Sequence, residues 1–222
     1  MLAPIVKGKG EGVKVRSTTI WISMTRTLKP LPFLFMKLRK YYFRMKVANI
    51  SSPPDWLDAN LASKFLYFFG MNFFLSNMYP SPFCIDNLHF SCVEQYYLYK
   101  QCEFFKKDKL AQAILESKDP KEMKRLSKTA ASRLEKKHLW YPIAAPVMFK
   151  AAMAKFSQNP HLKDQLLATQ NEFLVECNPR DSFWGIALPK VEAQSTPPDK
   201  WPGLNMLGKV LMSIRKIGRA HV

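Results

Sequence analysis

Residues 74–105, FLSNMYPSPFCIDNLHFSCVEQYYLYKQCEFF, constrain the fold more than any other part of this chain. Two short apolar runs, Phe83-Cys84-Ile85 and Leu88-His89-Phe90, flank Asp86-Asn87, a pair that tolerates positive φ. That pattern predicts a two-residue hairpin turn. A helix follows at once, because Val93, Tyr96, Tyr97 and Phe104 recur at helical spacing. Ser91 is the expected N-cap, and Glu94 then falls at N3, the acidic position of a capping box. A second reading of Glu94 stands beside that one. Tyr79, Phe83, Phe90, Tyr96, Tyr97, Tyr99, Phe104 and Phe105 crowd around it in sequence. A carboxyl group in an apolar pocket has its pKa raised by desolvation and is suited to acid–base work. Both roles place the carboxylate at a helix start, and a hairpin that aims the helix would hold such a group on rigid elements.

The flanking sequence supplies the rest of an α+β domain. Residues 65–69 (FLYFF) read as a short buried strand. Leu110, Ile114 and Leu115 mark a second helix. Asp119-Pro120-Lys121-Glu122 opens a third, with Asp as N-cap, Pro at N1 and Glu at N3. Residues 147–156 form a helix whose stripe is Met148, Phe149, Ala152, Met153 and Phe156. Lys150 falls opposite that stripe. Lys155 falls at its edge, half-buried, where a lysine snorkels, pairs with a carboxylate, or acts chemically with a lowered pKa. Asn159-Pro160 opens a helix carrying Leu162 and Leu166, and Phe173-Leu174-Val175 reads as a strand. Residues 190–200 read as a polar, Pro-rich loop. Leu207, Val210, Leu211 and Ile214 mark the last helix.

Composition bounds the function classes. At 222 residues and 47% apolar content the chain can bury one real core. Cys84, Cys92, Cys102 and Cys177 form no CxxC pair and have no histidine ligand pattern near them, so they read as reduced, intracellular thiols and not as a metal site or disulfide framework. No apolar run reaches the ~18 residues of a membrane span. The net charge of +17 is uneven: residues 1–50 carry eleven Lys/Arg against Glu11 alone, and residues 51–222 carry 23 against 16 acids, a net of +7. Such a domain suits an anionic ligand, and a solvated basic surface accounts for the charge equally well. Residues 1–60 read as a basic irregular extension ending in a linker, SSPPDW. The extension is either an Arg-rich mitochondrial-type presequence or translated upstream sequence before a start at Met24, Met36 or Met45. Without a presequence the expected location is cytoplasmic. Residues 217–222, Ile-Gly-Arg-Ala-His-Val, back-translate onto a common sequencing adapter and are set aside as an artefactual tail.

An ordered set of motifs carries a family resemblance. F-L-S-N-x-Y-P-S-P-F, I-D-N-L-x-F and V-E-Q-Y-Y are followed by K-F-S-Q-N-P, by Pro179-Arg180-Asp181-Ser182-Phe183-Trp184-Gly185-Ile186, and by Trp201-Pro202-Gly203-Leu204-Asn205-Met206-Leu207-Gly208. Together they resemble the NADAR (YbiA-like) family over about two thirds of the chain, and place the domain at residues 61–216. The resemblance implies a compact, helix-rich α+β domain that cleaves N-glycosidic bonds, with no cofactor and no metal. It implies a phosphorylated ribosyl substrate, either a riboflavin-pathway intermediate or ADP-ribose attached to guanine. Salt-sensitive binding to an ADP-ribosylated nucleic acid would follow from the second, which the basic charge favours.

The resemblance also implies site residues. Glu94 and Asp181 are the candidate acid–base groups, and Lys155 is the candidate for a Schiff-base route in which an amine attacks the sugar. Asn77, Trp140, Trp184, Gly185 and Asn205 are the candidate substrate-binding residues, the tryptophans by stacking on a ring. Each has a plain structural counterpart: a turn for Asn77 and Asp181, a core position for Trp140, a helix cap for Asn205. The chain departs from the family pattern in three places. Ala187 stands where a second glycine is usual, Leu126-Ser127-Lys128 where Leu-Gly-Arg is usual, and Lys100-Gln101 where the order is Gln-Lys. Ala187 and the Lys100-Gln101 order keep a non-catalytic ADP-ribose binder open as the alternative, and Leu126-Ser127-Lys128 removes an arginine that could hold a phosphate. A general nucleic-acid-binding protein rests mainly on the basic extension.

Overall fold

The hairpin forms as its turn residues dictate. In the computed structural model, which describes residues 57–130 and 137–220, Asp86 and Asn87 both adopt left-handed backbone (φ 53° and 63°). They join β2 (Phe83–Ile85) to β3 (Leu88–Phe90) in antiparallel register, Cys84 opposite His89. The preceding strand, β1 (Phe65–Phe68), pairs instead with β4 (Phe173–Glu176), in parallel. β4 is buried throughout, whereas only Phe68 of β1 is buried and Phe69 is 56% exposed. The expected buried strand at 65–69 is thus half-covered: among the described residues β4 is packed against α7, whereas β1 lies on the outer side of the pair.

Among the described residues, five helices lie between the hairpin and β4. α1 (Val93–Phe104) packs on α2 (Asp108–Glu116), α3 (Pro120–Ala130) and α4 (Lys137–Gln158). Asp119 caps α3 as expected, its Oδ1 accepting from Lys121 N at 2.9 Å. α4 begins ten residues before the expected start at 147, and runs through Pro142 and Pro146. Burial of Trp140, Ala144 and Ala145 outweighs the helix propensity that the prolines remove. α5 (Pro160–Ala168) follows, burying Leu162 and Leu166. The expected loop at 190–200 contains α6 (Lys190–Ser195), whose Ala193 is buried, and a 3-10 turn at Pro198–Lys200. α7 (Met206–Arg219) lies against β4 and α4.

Among the described residues, the main core joins β1, β4, the hairpin, α4 and α7, and a smaller one (Leu98, Cys102, Ala111, Ile114, Met123) joins α1, α2 and α3. The expected limits of 61 and 216 fall inside packed structure, since Leu57 is buried in the core and α7 continues to Arg219, whose Nη1 donates to Asn171 Oδ1 at 2.8 Å. The presequence, start-site and linker readings lie outside the described residues.

Two side-chain clasps fix the frame of the site. The first is the K-F-S-Q-N-P run at the end of α4. Lys155 Nζ donates to Phe74 O (2.7 Å) and Ser76 O (2.9 Å). Gln158 exchanges two hydrogen bonds with the Cys84 backbone, at 2.8 Å each. Asn159 Nδ2 donates to Pro82 O at 3.0 Å. The second clasp is Asn205, in left-handed backbone (φ 51°) before α7. Its Nδ2 donates to Leu174 O (2.8 Å) and its Oδ1 accepts from Glu176 N (3.0 Å).

Candidate active site

Glu94 stands at the N-terminus of α1, but not as a cap. Cys92 is the N-cap and makes no side-chain capping bond, which puts Glu94 at N2 and corrects the capping-box expectation. Gln95 does the local work. Its Oε1 accepts from Ser91 N (2.7 Å) and Ser91 Oγ (3.0 Å), while its Nε2 donates to the carbonyls of Ile114, Leu115 and Ser117 at the end of α2. Glu94 N donates to Asn77 O at 2.9 Å, so Asn77 fixes the helix start through its backbone. The Glu94 carboxylate is thereby free to face other elements.

It faces acids and one base. Glu94 is 8% exposed, and Lys124 Nζ of α3 lies 3.8 Å from its Oε1. Burial raises the Glu94 pKa, with Lys124 pulling it down and Asp181 pushing it up. Glu176, the last residue of β4, is 7% exposed and belongs to the same cluster, for Asp181 and Glu94 both act on its charge. Asp181 Oδ1 accepts from Phe183 N (2.9 Å) and Trp184 N (2.8 Å), so this residue shapes the turn and adds its charge to the cluster. Among the described residues, no group of three or more His, Cys, Asp or Glu is placed to hold a metal ion.

An aromatic wall stands beside the carboxylates. Tyr97, three residues after Glu94 on the same helix face, accepts a hydrogen bond from Trp140 Nε1 at 2.7 Å. Its ring meets Trp140 and Trp184 edge-on, both at 5.4 Å, and Trp184 meets Phe183 at 4.8 Å. Burial drives the Tyr97 hydroxyl pKa far up, so it stays neutral. Trp140 is buried, while Trp184 is only partly covered.

The structure therefore brings Glu94, Asp181, Trp140 and Trp184 together, with Asn77 behind them. Gly185 contributes closeness: a Cβ there would come within 2.8 Å of Glu176 O. Asn205 supports Glu176 from its backbone side; it is the N-cap residue of α7 as expected, but its side chain makes no capping bond and clasps β4 with both amide atoms instead. Lys155 is not at the edge of a stripe. It is 1% exposed, one of the largest fully buried side chains, and burial lowers its pKa to about 7. Lys100 pairs with Glu103, and the ammonium group beside Glu94 comes from Lys124. Ala187 sits in left-handed backbone (φ 58°), which explains the glycine usual there. Glu176, Tyr97 and Lys124 are the residues the sequence reading missed. Tyr97 was legible from i, i+3 spacing to Glu94, and Glu176 from an acid closing an otherwise apolar strand.

A family model described as the NADAR domain matches residues 67–217. Protein irg-1 of Caenorhabditis elegans is 32% identical over 166 residues, covering 68% of this chain and 78% of that protein. N-glycosidase Npun_R5314 of Nostoc punctiforme is 30% identical over 141 residues, 64% of this chain and 82% of that protein. Among solved structures, the NMR structure of the Escherichia coli protein YbiA superposes with a TM-score of 0.56 at 24% identity, over 70% of this chain and 85% of that one, a likeness of fold.

Proposed function

This chain belongs to the NADAR domain family, and from that premise we propose that it is an N-glycosidase, a hydrolase acting on the N-glycosyl bond of a phosphorylated ribosyl substrate. The observation that carries the reading is the buried Glu94 carboxylate, at a helix start, beside further carboxylates and a wall of tryptophan and tyrosine. Breaking a C1′–N bond builds positive charge on the sugar, and a fixed carboxylate stabilises that charge or takes a proton from the attacking water. Trp184, partly covered and edged by Tyr97 and Phe183, offers a face on which the departing heterocycle can stack. The domain's excess of basic residues suits the substrate phosphates.

Two features of the geometry support the catalytic reading against the departures that favoured a non-catalytic binder. Ala187 takes the left-handed conformation itself, so the loop keeps its course. Lys124 supplies a cation next to Glu94 although Lys100 points elsewhere. Lys155 grips two backbone carbonyls and supports a positioning role better than direct attack on a sugar. ADP-ribose on guanine is the favoured substrate, the riboflavin-pathway ribosylamino-pyrimidine phosphate the second. Incubating the protein with each, and following base release by mass spectrometry, tests the choice. Glu94→Gln is expected to abolish turnover and to leave binding within about tenfold, ~1.4 kcal/mol. Undiminished turnover in that variant sinks the assignment, and release of the pyrimidine alone reverses the substrate order.

A further inference from the structure

Glu176 is a buried acid whose backbone N–H and carbonyl are both engaged and whose Oε2 is left without a partner among the described residues. Its N–H donates to Asn205 Oδ1 and its carbonyl accepts from Ile186 N, both at 3.0 Å. Among the described residues, its Oε2 has no hydrogen-bond partner. A buried, unpaired carboxyl oxygen favours the neutral acid over the anion. The charges facing it lean the same way. Asp181 from the turn after β4 and Glu94 from α1 oppose another negative charge, Lys124 of α3 works against them, and the adjacent Cys177 carries a thiol pushed up to about 12 by its own burial. The result is a Glu176 pKa of about 8, burial being the largest cause. Glu94 differs in having an ammonium group within 3.8 Å. Burial raises both acids and Lys124 acts on both, but only Glu94 has the ammonium group within 3.8 Å and only Glu176 has a buried oxygen without a partner, so of the coupled pair Glu176 is the better seat for a proton.

Resting on the N-glycosidase reading, we propose that Glu176 is the general acid of the reaction, giving its proton to the departing base while Glu94 takes one from water. The C1′–N bond breaks with its electron pair going to the base, and the base takes the Glu176 proton. The water oxygen bonds to C1′ and its proton goes to Glu94. Solvent returns that proton to Glu176, so both carboxyls are restored and one water is consumed. Gly185 lets the loop carrying Trp184 fold back against the end of β4, since a Cβ there would come within 2.8 Å of Glu176 O.

Two measurements on the full chain test this. In the infrared, the wild-type protein at about pH 7 is expected to show the carbonyl stretch of a protonated carboxyl that fades above about pH 8 and is missing in Glu176→Gln. If no such band belongs to Glu176, the proposal falls, whatever the substrate. With ADP-ribose linked to guanine as probe, Glu176→Gln is expected to lower kcat by about 10²–10⁴-fold with KM little changed. The alkaline limb of the pH–rate profile should go with it. Gln is neutral and of the same size, so a role in packing alone would leave that limb in place. Wild-type kcat and an unaltered limb in Glu176→Gln, with Glu94→Gln inactive, overturn the acid role and leave the N-glycosidase reading standing. Full activity in Glu94→Gln overturns that reading instead.

Discussion

Lys155 carries its ammonium group into the interior and binds the carbonyls of Phe74 and Ser76 with it, 5.3 Å from the centre of the Tyr79 ring. Lys150, five residues earlier on the same helix, forms a surface pair with Asp86, its Nζ donating to Oδ2 at 2.7 Å. Lys155→Met is expected to destabilise the protein by about 2–4 kcal/mol, because two inward carbonyls lose their donor. Lys150→Ala should change stability by less than about 0.5 kcal/mol, as exposed pairs do. Urea titrations compare the two directly, and equal midpoints would show that the Lys155 contacts contribute little. Helical spacing placed both lysines relative to the apolar stripe. It could not show that the loop at 70–79 would fold over the stripe's edge and close it.

At the scale of elements, the site depends on how closely α7 and the loop before it approach β4. Gly208 is the point of nearest contact: a Cβ there would lie 2.1 Å from Leu174 O and 2.6 Å from Asn205 Nδ2. The first of these is backbone, so the helix itself must move. Gly208→Ala is expected to cost about 1–3 kcal/mol, the range for overpacking a filled interior. It should also lower kcat by shifting Asn205, which holds the Glu176 N–H. A variant with wild-type stability and turnover would mean that the contact relaxes freely. α7 itself was legible from Leu207, Val210, Leu211 and Ile214, all of which are buried. The start of α4 was not, because two prolines mask a helix whose burial is decided by α1 and its tyrosine.

Buried groups of opposite sign make the whole molecule respond to pH, Glu176 and Lys155 among them. Glu176 has its pKa raised to about 8, chiefly by burial. From about pH 4.3, the ordinary glutamate value, up to about 8 the folded state holds a proton that the unfolded chain has lost, so stability falls as pH rises. Lys155 has its pKa lowered to about 7 by burial. From about pH 7 up to about 10.4 the unfolded chain holds the proton that the folded state lacks, so stability rises with pH. The two contributions meet in a minimum between about pH 7 and 8. Melting curves across the range should show a shallower descending limb in Glu176→Gln and a shallower rising limb in Lys155→Met, the remainder coming from Glu94 and Lys209, which burial shifts in the same directions, and a flat wild-type profile would contradict both assignments. Among the described residues, no helix is long and apolar enough to cross a membrane.

The sequence by itself determined what a few neighbouring residues decide. Asp86-Asn87 made the hairpin turn, Asp119-Pro120 started α3, and the apolar stripes marked α1, α5 and α7, since turn chemistry and helical period act within one or two turns of chain. Tertiary structure alone decided which charges meet. Glu94 comes from the start of α1, Lys124 from α3, and Glu176 and Asp181 from the end of β4 and the turn beyond it, so no spacing rule connects them. It also decided that Gln95, not Glu94, completes the helix start, that residues 190–195 coil into α6, and that Lys155 is buried. Burial and pKa are properties of the surroundings, and those surroundings are supplied by elements distant in sequence, whose packing no local pattern encodes.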